Sequence, residues 1–264
     1  MSDRLAVITG AGSGIGRATA QKFVAEGYRV AICDIDGARI AELGRELGDR
    51  CVLAKKVDVS DRAAMQAFAG EVHAIQDGVD AIVNNAGVAV GGTFLDTSLD
   101  DWDWLLGINL RGVVHGCHFF VPKMVARGRG QVVNIASILG IFPAPNVTAY
   151  VASKFAVLGM TQSLRTELEG TGVGVTAICP GLIATQIVAD GRMSGSALKR
   201  KPQLLGRFKK GLDPKHVASQ IVDACRSNPA VRTVGKDAWA IHQLVRVAPR
   251  FIDKIGGMVA KRMG

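Results

Sequence analysis

Leu5-Ala6-Val7-Ile8-Thr9-Gly10-Ala11-Gly12-Ser13-Gly14-Ile15-Gly16 is the stretch that decides the fold. Leu5 to Thr9 reads as a short buried strand, and Gly16 to Glu26 as the helix that follows it. A glycine-rich turn between strand and helix lets the backbone approach a pyrophosphate, which the N–H groups at the helix start then attract. Such a turn alone also fits a plain loop. Working outward, the next strand (Arg29 to Cys33) ends at Asp34, close to the ~20 residues expected after a dinucleotide turn. A carboxylate there accepts hydrogen bonds from the adenosine ribose hydroxyls and repels a 2′-phosphate. Gly10, Ser13, Gly14, Ile15, Gly16 and Asp34 therefore predict a bound dinucleotide, NAD in preference to NADP. No basic residue stands in the loop or just after Asp34 to offset the repulsion, and Arg17 is expected to face along the helix.

Downstream the chain alternates. Helices are expected over Arg39 to Leu47, Asp61 to Gln76, Trp102 to Ala126, and from about Tyr150 to Gly170. Strands are expected at Val52 to Val57, Ala81 to Asn84, Gln131 to Ala136 and Val173 to Cys179. Continuous apolar strands between helices imply a parallel sheet covered on both faces. With no internal repeat or linker, residues 1–264 read as one α/β domain, a doubly wound Rossmann-type fold.

Tyr150 and Lys154 stand four residues apart, a spacing that places both on one helix face. A free tyrosine has a pKa of about 10 and is a poor acid or base at neutral pH. A neighbouring ammonium favours the phenolate and is expected to bring Tyr150 toward useful proton transfer. The same spacing also occurs by chance on ordinary amphipathic helices.

Taken together, these motifs resemble the short-chain dehydrogenase/reductase family. Gly10, Gly14 and Gly16 match its TGxxxGxG turn, and Asn84-Asn85-Ala86-Gly87 its NNAG element. Asn109, Ser137, Tyr150 and Lys154 match its catalytic positions in order, and Pro180-Gly181 with Thr185 its PGxxxT stretch. The resemblance covers about Leu5 to Thr185. It implies that Asp58 and Val59 border the adenine and that Asn85, Ala86 and Gly87 line the adenosine side. Lys154 holds the nicotinamide ribose and lowers the pKa of Tyr150. Ser137 binds the substrate oxygen, Tyr150 moves its proton, and Asn109 holds a water linking Lys154 to solvent. By the same resemblance Pro180 and Gly181 belong to the stretch that holds the nicotinamide, and the Ile183 backbone and Thr185 orient its carboxamide. Two residues carry plainer alternatives: Asn109 satisfying backbone groups, and Asp58 capping the following turn.

Bulk properties narrow the partners. A net charge of +9 permits attraction to anions, but the basic residues are spread out and no nucleic-acid recognition motif or metal-ligand cluster is visible. Five scattered cysteines read as buried thiols in a reducing compartment. With no signal peptide before the first strand and no apolar run of transmembrane length, a cytoplasmic location is expected.

Substrate choice falls to the variable parts. Ile138, Leu139, Ile141, Phe142, Pro143 and Pro145 suggest a greasy wall beside the reacting carbon. Val90 and Phe94 are expected near the cleft. Residues 187–212, where the family has its substrate lid, interleave apolar residues with Lys199, Arg200, Lys201, Arg207, Lys209 and Lys210. They read equally as a lid and as a solvated basic helix pair. Ala230 to Gly235 fits a last strand. Residues 236–264 depart from the family pattern: apolar residues from Trp239 to Val259 recur at helical spacing among basic ones. Such a tail can contact an anionic membrane surface, cover the cleft or pack on a subunit. The resemblance implies a homodimer or homotetramer. The expected activity is NAD-dependent interconversion of a bulky apolar secondary alcohol and its ketone. The alternatives are an acyl-carrier or acyl-CoA ketoreductase and a non-catalytic NAD-sensing scaffold.

Overall fold

The computed structural model describes residues 4–247. The apolar and basic tail positions from Pro249 to Arg262 lie outside the described residues. In chain order the first elements are β1 (Leu5–Thr9), α1 (Gly14–Ala25), β2 (Arg29–Asp34), α2 (Gly37–Leu47), β3 (Cys51–Lys56), α3 (Arg62–Ile75), β4 (Ala81–Asn84) and a short β5 (Val90–Gly91). There follow α4 (Leu99–Leu106), α5 (Gly112–Ala126), β6 (Gly130–Ile135), α6 (Thr148–Glu167), β7 (Val173–Pro180) and a short β8 (Arg192–Met193). The last are α7 (Gly195–Lys199), α8 (Lys201–Phe208), α9 (Pro214–Ser227), β9 (Val231–Val234) and α10 (Lys236–Val247).

Seven strands form one parallel sheet in the order β3-β2-β1-β4-β6-β7-β9. Alternation along β1 shows why both faces are covered. Leu5 and Val7 point into the layer of Phe68, Phe120 and Val157, from α3, α5 and α6. Ala6 and Ile8 point into the layer of Phe23, Ile40 and Val217, from α1, α2 and α9. With both faces of β1 fully buried, no polar side chain is tolerated until Thr9, where the strand ends. The strand order reverses between β1 and β4. A crevice opens there at the carboxyl ends of both strands, where the glycine turn and the loop from Asn85 to Gly87 lie.

The helix expected from Trp102 to Ala126 is not continuous. It starts earlier, because Ser98 caps α4 by accepting the Asp101 N–H at 3.1 Å. Between α4 and α5 the chain widens into a π-helical turn over Gly107–Arg111. An extra residue per turn re-aims side chains, and such turns recur at functional sites. Here the turn brings Asn109 inward, fully buried. Gly112 ends it pressed on Val59: a Cβ there would lie 2.7 Å from Val59 Cγ2. All five cysteines are free thiols, with Cys33, Cys117 and Cys179 buried and Cys51 and Cys225 partly so.

Residues 187–212 are rooted by β8, which pairs in parallel with β5. They continue as α7 and α8, the latter with no buried residue. No helix among the described residues is long and apolar enough to cross a membrane.

Phe120 is fully buried and packs edge-on to Phe68, with ring centroids 6.4 Å apart. Phe120→Ala is expected to lower unfolding free energy by about 3–5 kcal/mol, read as a lower urea midpoint. A loss under about 1 kcal/mol would mean that α5 does not hold this layer.

Candidate active site

The crevice is shaped by side chains that are missing. A Cβ on Gly10, where φ is +63°, would lie 2.6 Å from Ala86 Cα. One on Gly16 would lie 2.1 Å from Gly10 O, so only glycine lets helix and turn close together. Asn85 pins that turn: its Nδ2 donates to Thr9 O (2.9 Å) and Gly10 O (3.0 Å). Thr9 Oγ1 accepts the N–H groups of Asn85 (3.0 Å) and Ala86 (3.1 Å). Ser13 precedes α1 without capping it, and the first turn carries no acid. The N–H groups at the helix start thus keep their capacity to bind a phosphate. These features fit a dinucleotide.

Asp34 ends β2 beside the turn. Its Oδ2 accepts the Gly12 N–H at 2.8 Å and its Oδ1 the Asp36 N–H at 2.9 Å, leaving further lone pairs on both oxygens. Arg17 pairs with Glu42 and Glu46, away from Asp34. Arg39 was not anticipated here. A Cβ on Gly12 would lie 3.2 Å from Arg39 Cβ, and the Arg39 guanidinium pairs with Asp36 (3.2 Å) and Asp190 (3.9 Å). A basic residue therefore does stand near Asp34, brought in by the first turn of α2. Asp58 caps its own turn, Oδ1 accepting the Ser60 N–H (2.9 Å) and hydroxyl (2.7 Å). The Val59 side chain is buried, and its carbonyl bonds His115 Nδ1 at 2.9 Å.

Asn109 from the π turn, Ser137 after β6, and Tyr150 and Lys154 on α6 are brought together, with Asn109 and Lys154 meeting by Gly87. Asn109 Oδ1 accepts the Val88 N–H (2.8 Å), while Nδ2 donates to Val88 O (3.0 Å) and Ser153 Oγ (3.1 Å). Ser153 in turn donates to Tyr150 O at 2.7 Å. Ser153 thus joins the π turn to α6, a role not assigned from sequence although it lies three residues from Tyr150. A Cβ on Gly87 would lie 3.3 Å from Asn109 Oδ1 and 3.5 Å from Lys154 Nζ, so glycine keeps open the space between them. Ser137 starts the 3-10 turn Ile138–Gly140, its Oγ accepting the Leu139 N–H at 3.1 Å, and it hydrogen-bonds Tyr150. Gly140 lets that turn sit on α6: a Cβ there would lie 2.6 Å from Lys154 O. Val90 is buried in a cluster with Leu105 and Ala149, against which Tyr150 packs. Phe94 is exposed and stacks edge-on to Trp102.

The electrostatics differ from the expectation. Tyr150 keeps part of its surface in solvent, yet burial of the phenol pushes its pKa up to about 12, and the Ser137 hydrogen bond offsets only part of that. Lys154 Nζ lies 5.7 Å from the ring centroid and donates to Ile135 O at 2.9 Å. Burial pushes Lys154 down to about 8, with Cys179 nearby pulling slightly upward. Desolvation thus sets the direction of both shifts.

The stretch after β7 closes the crevice. Gly181 N–H donates to Val234 O (2.9 Å), Ile183 is buried, and Ala184 N–H donates to Leu212 O (2.9 Å). A Cβ on Gly14, where φ is +51°, would lie 3.2 Å from Thr185 Cγ2, so the glycine turn and Thr185 face each other closely.

The described residues thus form a Rossmann-type α/β domain whose crevice fits a dinucleotide and whose α6 carries the tyrosine–lysine pair. Residues 4–194 match the family model described as short chain dehydrogenase, and the chain belongs to that family. It is 40% identical to the probable oxidoreductase EphD of Mycobacterium tuberculosis over 94% of its own length, but spans only 44% of that relative. It is 35% identical to the 3-oxoacyl-[acyl-carrier-protein] reductase FabG of Thermotoga maritima, over 84% of this chain and 90% of the other. A short chain dehydrogenase/reductase structure from Burkholderia phymatum, in complex with NAD, superposes with a TM-score of 0.88 at 30% identity, covering 94% and 95% of the two chains.

The Lys154 shift has a sign that can be checked. Its folded pKa of about 8 lies below the unfolded value, so the cost of burying it charged is fully present below pH 8. That cost is relieved as pH rises from 8 toward about 10.4. Lys154→Met is expected to be more stable than the wild type at pH 7 by roughly 3 kcal/mol, with the gap closing by about pH 10.5. A gap independent of pH, in denaturant titrations, would contradict the burial of a strained charge.

Proposed function

We propose that this oxidoreductase interconverts a bulky, apolar secondary alcohol and its ketone, using NAD. The observation that carries the reading is that Asn109 and Lys154 both border Gly87, while Ser137 hydrogen-bonds Tyr150 on the helix that carries Lys154. Gly10, Gly14, Gly16 and the start of α1 hold the pyrophosphate, and Asp34 the adenosine ribose. Asn85, Ala86 and Gly87 line the adenosine side, Asp58 and Val59 the adenine edge. Pro180, Gly181, Ile183 and Thr185 hold the nicotinamide. When bound, NAD supplies hydride transfer at nicotinamide C4.

The chain's own residues manage the proton. Ser137 Oγ binds the substrate oxygen, and Tyr150 gives or takes the proton on it. Lys154 holds the ribose and donates toward the phenol. The space above Gly87 suits a water between Asn109 Oδ1 and Lys154 Nζ, which carries the proton outward. Ile138, Leu139 and Phe142 line the substrate side, residues 187–212 form a lid within the one domain, and α5 and α6, with Val114 and Phe155 exposed, form a subunit interface. A cytoplasmic location is part of this reading. A second reading, an acyl-carrier ketoreductase, draws on the exposed Lys199, Arg207, Lys209 and Lys210 and on the FabG relative.

The test is a screen of aliphatic, aryl and steroid secondary alcohols with NAD+ and NADP+. Turnover of a bulky apolar alcohol with NAD+, reduced at least about 100-fold in Tyr150→Phe with NADH binding retained, is expected. Better turnover with NADP+ would contradict the role given to Asp34, and Arg39 would be the residue offsetting its charge. Full activity in Tyr150→Phe would sink the proton-transfer role.

A further inference from the structure

The first turn of α10 meets the stretch assigned above to the nicotinamide. Leu182 N–H donates to Asp237 Oδ2 at 3.2 Å. A Cβ on Gly181 would lie 2.4 Å from the same oxygen, and its three nearest atoms all belong to the Asp237 carboxylate. A Cβ on Gly235, where φ is +109°, would lie 2.4 Å from the other oxygen. Two glycines thus make room for one carboxylate. Leu182 is gripped from its other side as well, its carbonyl accepting the Leu212 N–H at 2.9 Å. Asp237 stands on a fixed base: Ala238 beside it is fully buried, and α10 packs on β9 and on the turn that starts at Ser137. A carboxylate in the first turn is also favoured by the helix dipole. Gly235, Asp237 and α10 lie beyond residues 4–194, which match the family model.

We propose that Asp237 is a positioning residue for the cofactor: its carboxylate holds the Gly181–Leu182 backbone, and so sets where Ile183 and Thr185 meet the nicotinamide end. The inference rests on the cofactor reading above. The hydrogen bond is solvent-exposed, so its contribution to global stability is small. Its effect is local, on the half of the crevice that an adenosine fragment does not reach. Gly181 gives an independent handle, since its φ is not left-handed and the atoms nearest a side chain there are those of the carboxylate. Gly181→Ala displaces Asp237 without touching it chemically.

The experiment measures binding of NADH and of ADP-ribose, which lacks the nicotinamide, together with thermal unfolding. Asp237→Ala and Gly181→Ala are each expected to weaken NADH roughly 10-fold, the effect of one hydrogen bond to a charged acceptor. ADP-ribose affinity should stay within about twofold, and the midpoint of unfolding within about 4 °C. Asp237→Asn, which keeps an acceptor oxygen, should recover most of the NADH affinity. The double variant should bind NADH no more weakly than Asp237→Ala, because both changes remove one contact. Wild-type NADH affinity in Asp237→Ala would overturn the inference. So would equal losses for NADH and ADP-ribose, or losses that multiply in the double variant. A wild-type protein that binds neither NADH nor NADPH would instead fell the cofactor reading itself, and the inference with it.

Discussion

The Asn109 carboxamide is the contact on which the site depends. It takes both backbone groups of Val88 and reaches Ser153 on α6. In one buried side chain it ties the loop after β4, the π turn and the helix of Tyr150. A buried amide is costly unless satisfied, so the three elements are fixed relative to one another wherever Asn109 is paired. Gly87 follows from the same constraint, because a side chain there would fill the space between Asn109 and Lys154.

Around that tie the two titratable groups are pushed in opposite directions. Burial raises the phenol of Tyr150 to about 12 and lowers the ammonium of Lys154 to about 8. Both shifts favour the neutral forms, and among the described residues no carboxylate is partnered with either group. Such a pair is poised to respond to whatever charge enters the crevice, since in low dielectric a nearby charge acts strongly.

Much of this was legible from local pattern. The glycine turn, Asp34 and the order of the strands depend on spacing and on apolar runs, which the chain carries residue by residue. Tyr150 and Lys154 were readable because helical spacing is local too. The π turn was not, since its register is decided by bonds that Asn109 makes to residues 21 and 44 positions away. Arg39 was missed because it lies five residues beyond Asp34 and reaches Gly12 only through the fold of α2. The direction of the Tyr150 shift was misjudged because sequence displays charge but not burial: Lys154 is close, yet its Nζ is engaged by Ile135 O. Asp237 was invisible for a similar reason, being 55 residues from the amide it accepts.

Tyr28 and Tyr150 are the chain's two tyrosines, so phenolate absorbance in the wild type against Tyr150→Phe isolates the Tyr150 phenol. The decisive measurement is its titration with and without saturating NAD+. The expected result is no Tyr150 phenolate below about pH 10 in the free protein, and its appearance below that pH once NAD+ is bound, with the response reduced in Lys154→Met. An identical titration in the presence and absence of NAD+ would contradict a proton-transfer site built on Tyr150 and Lys154.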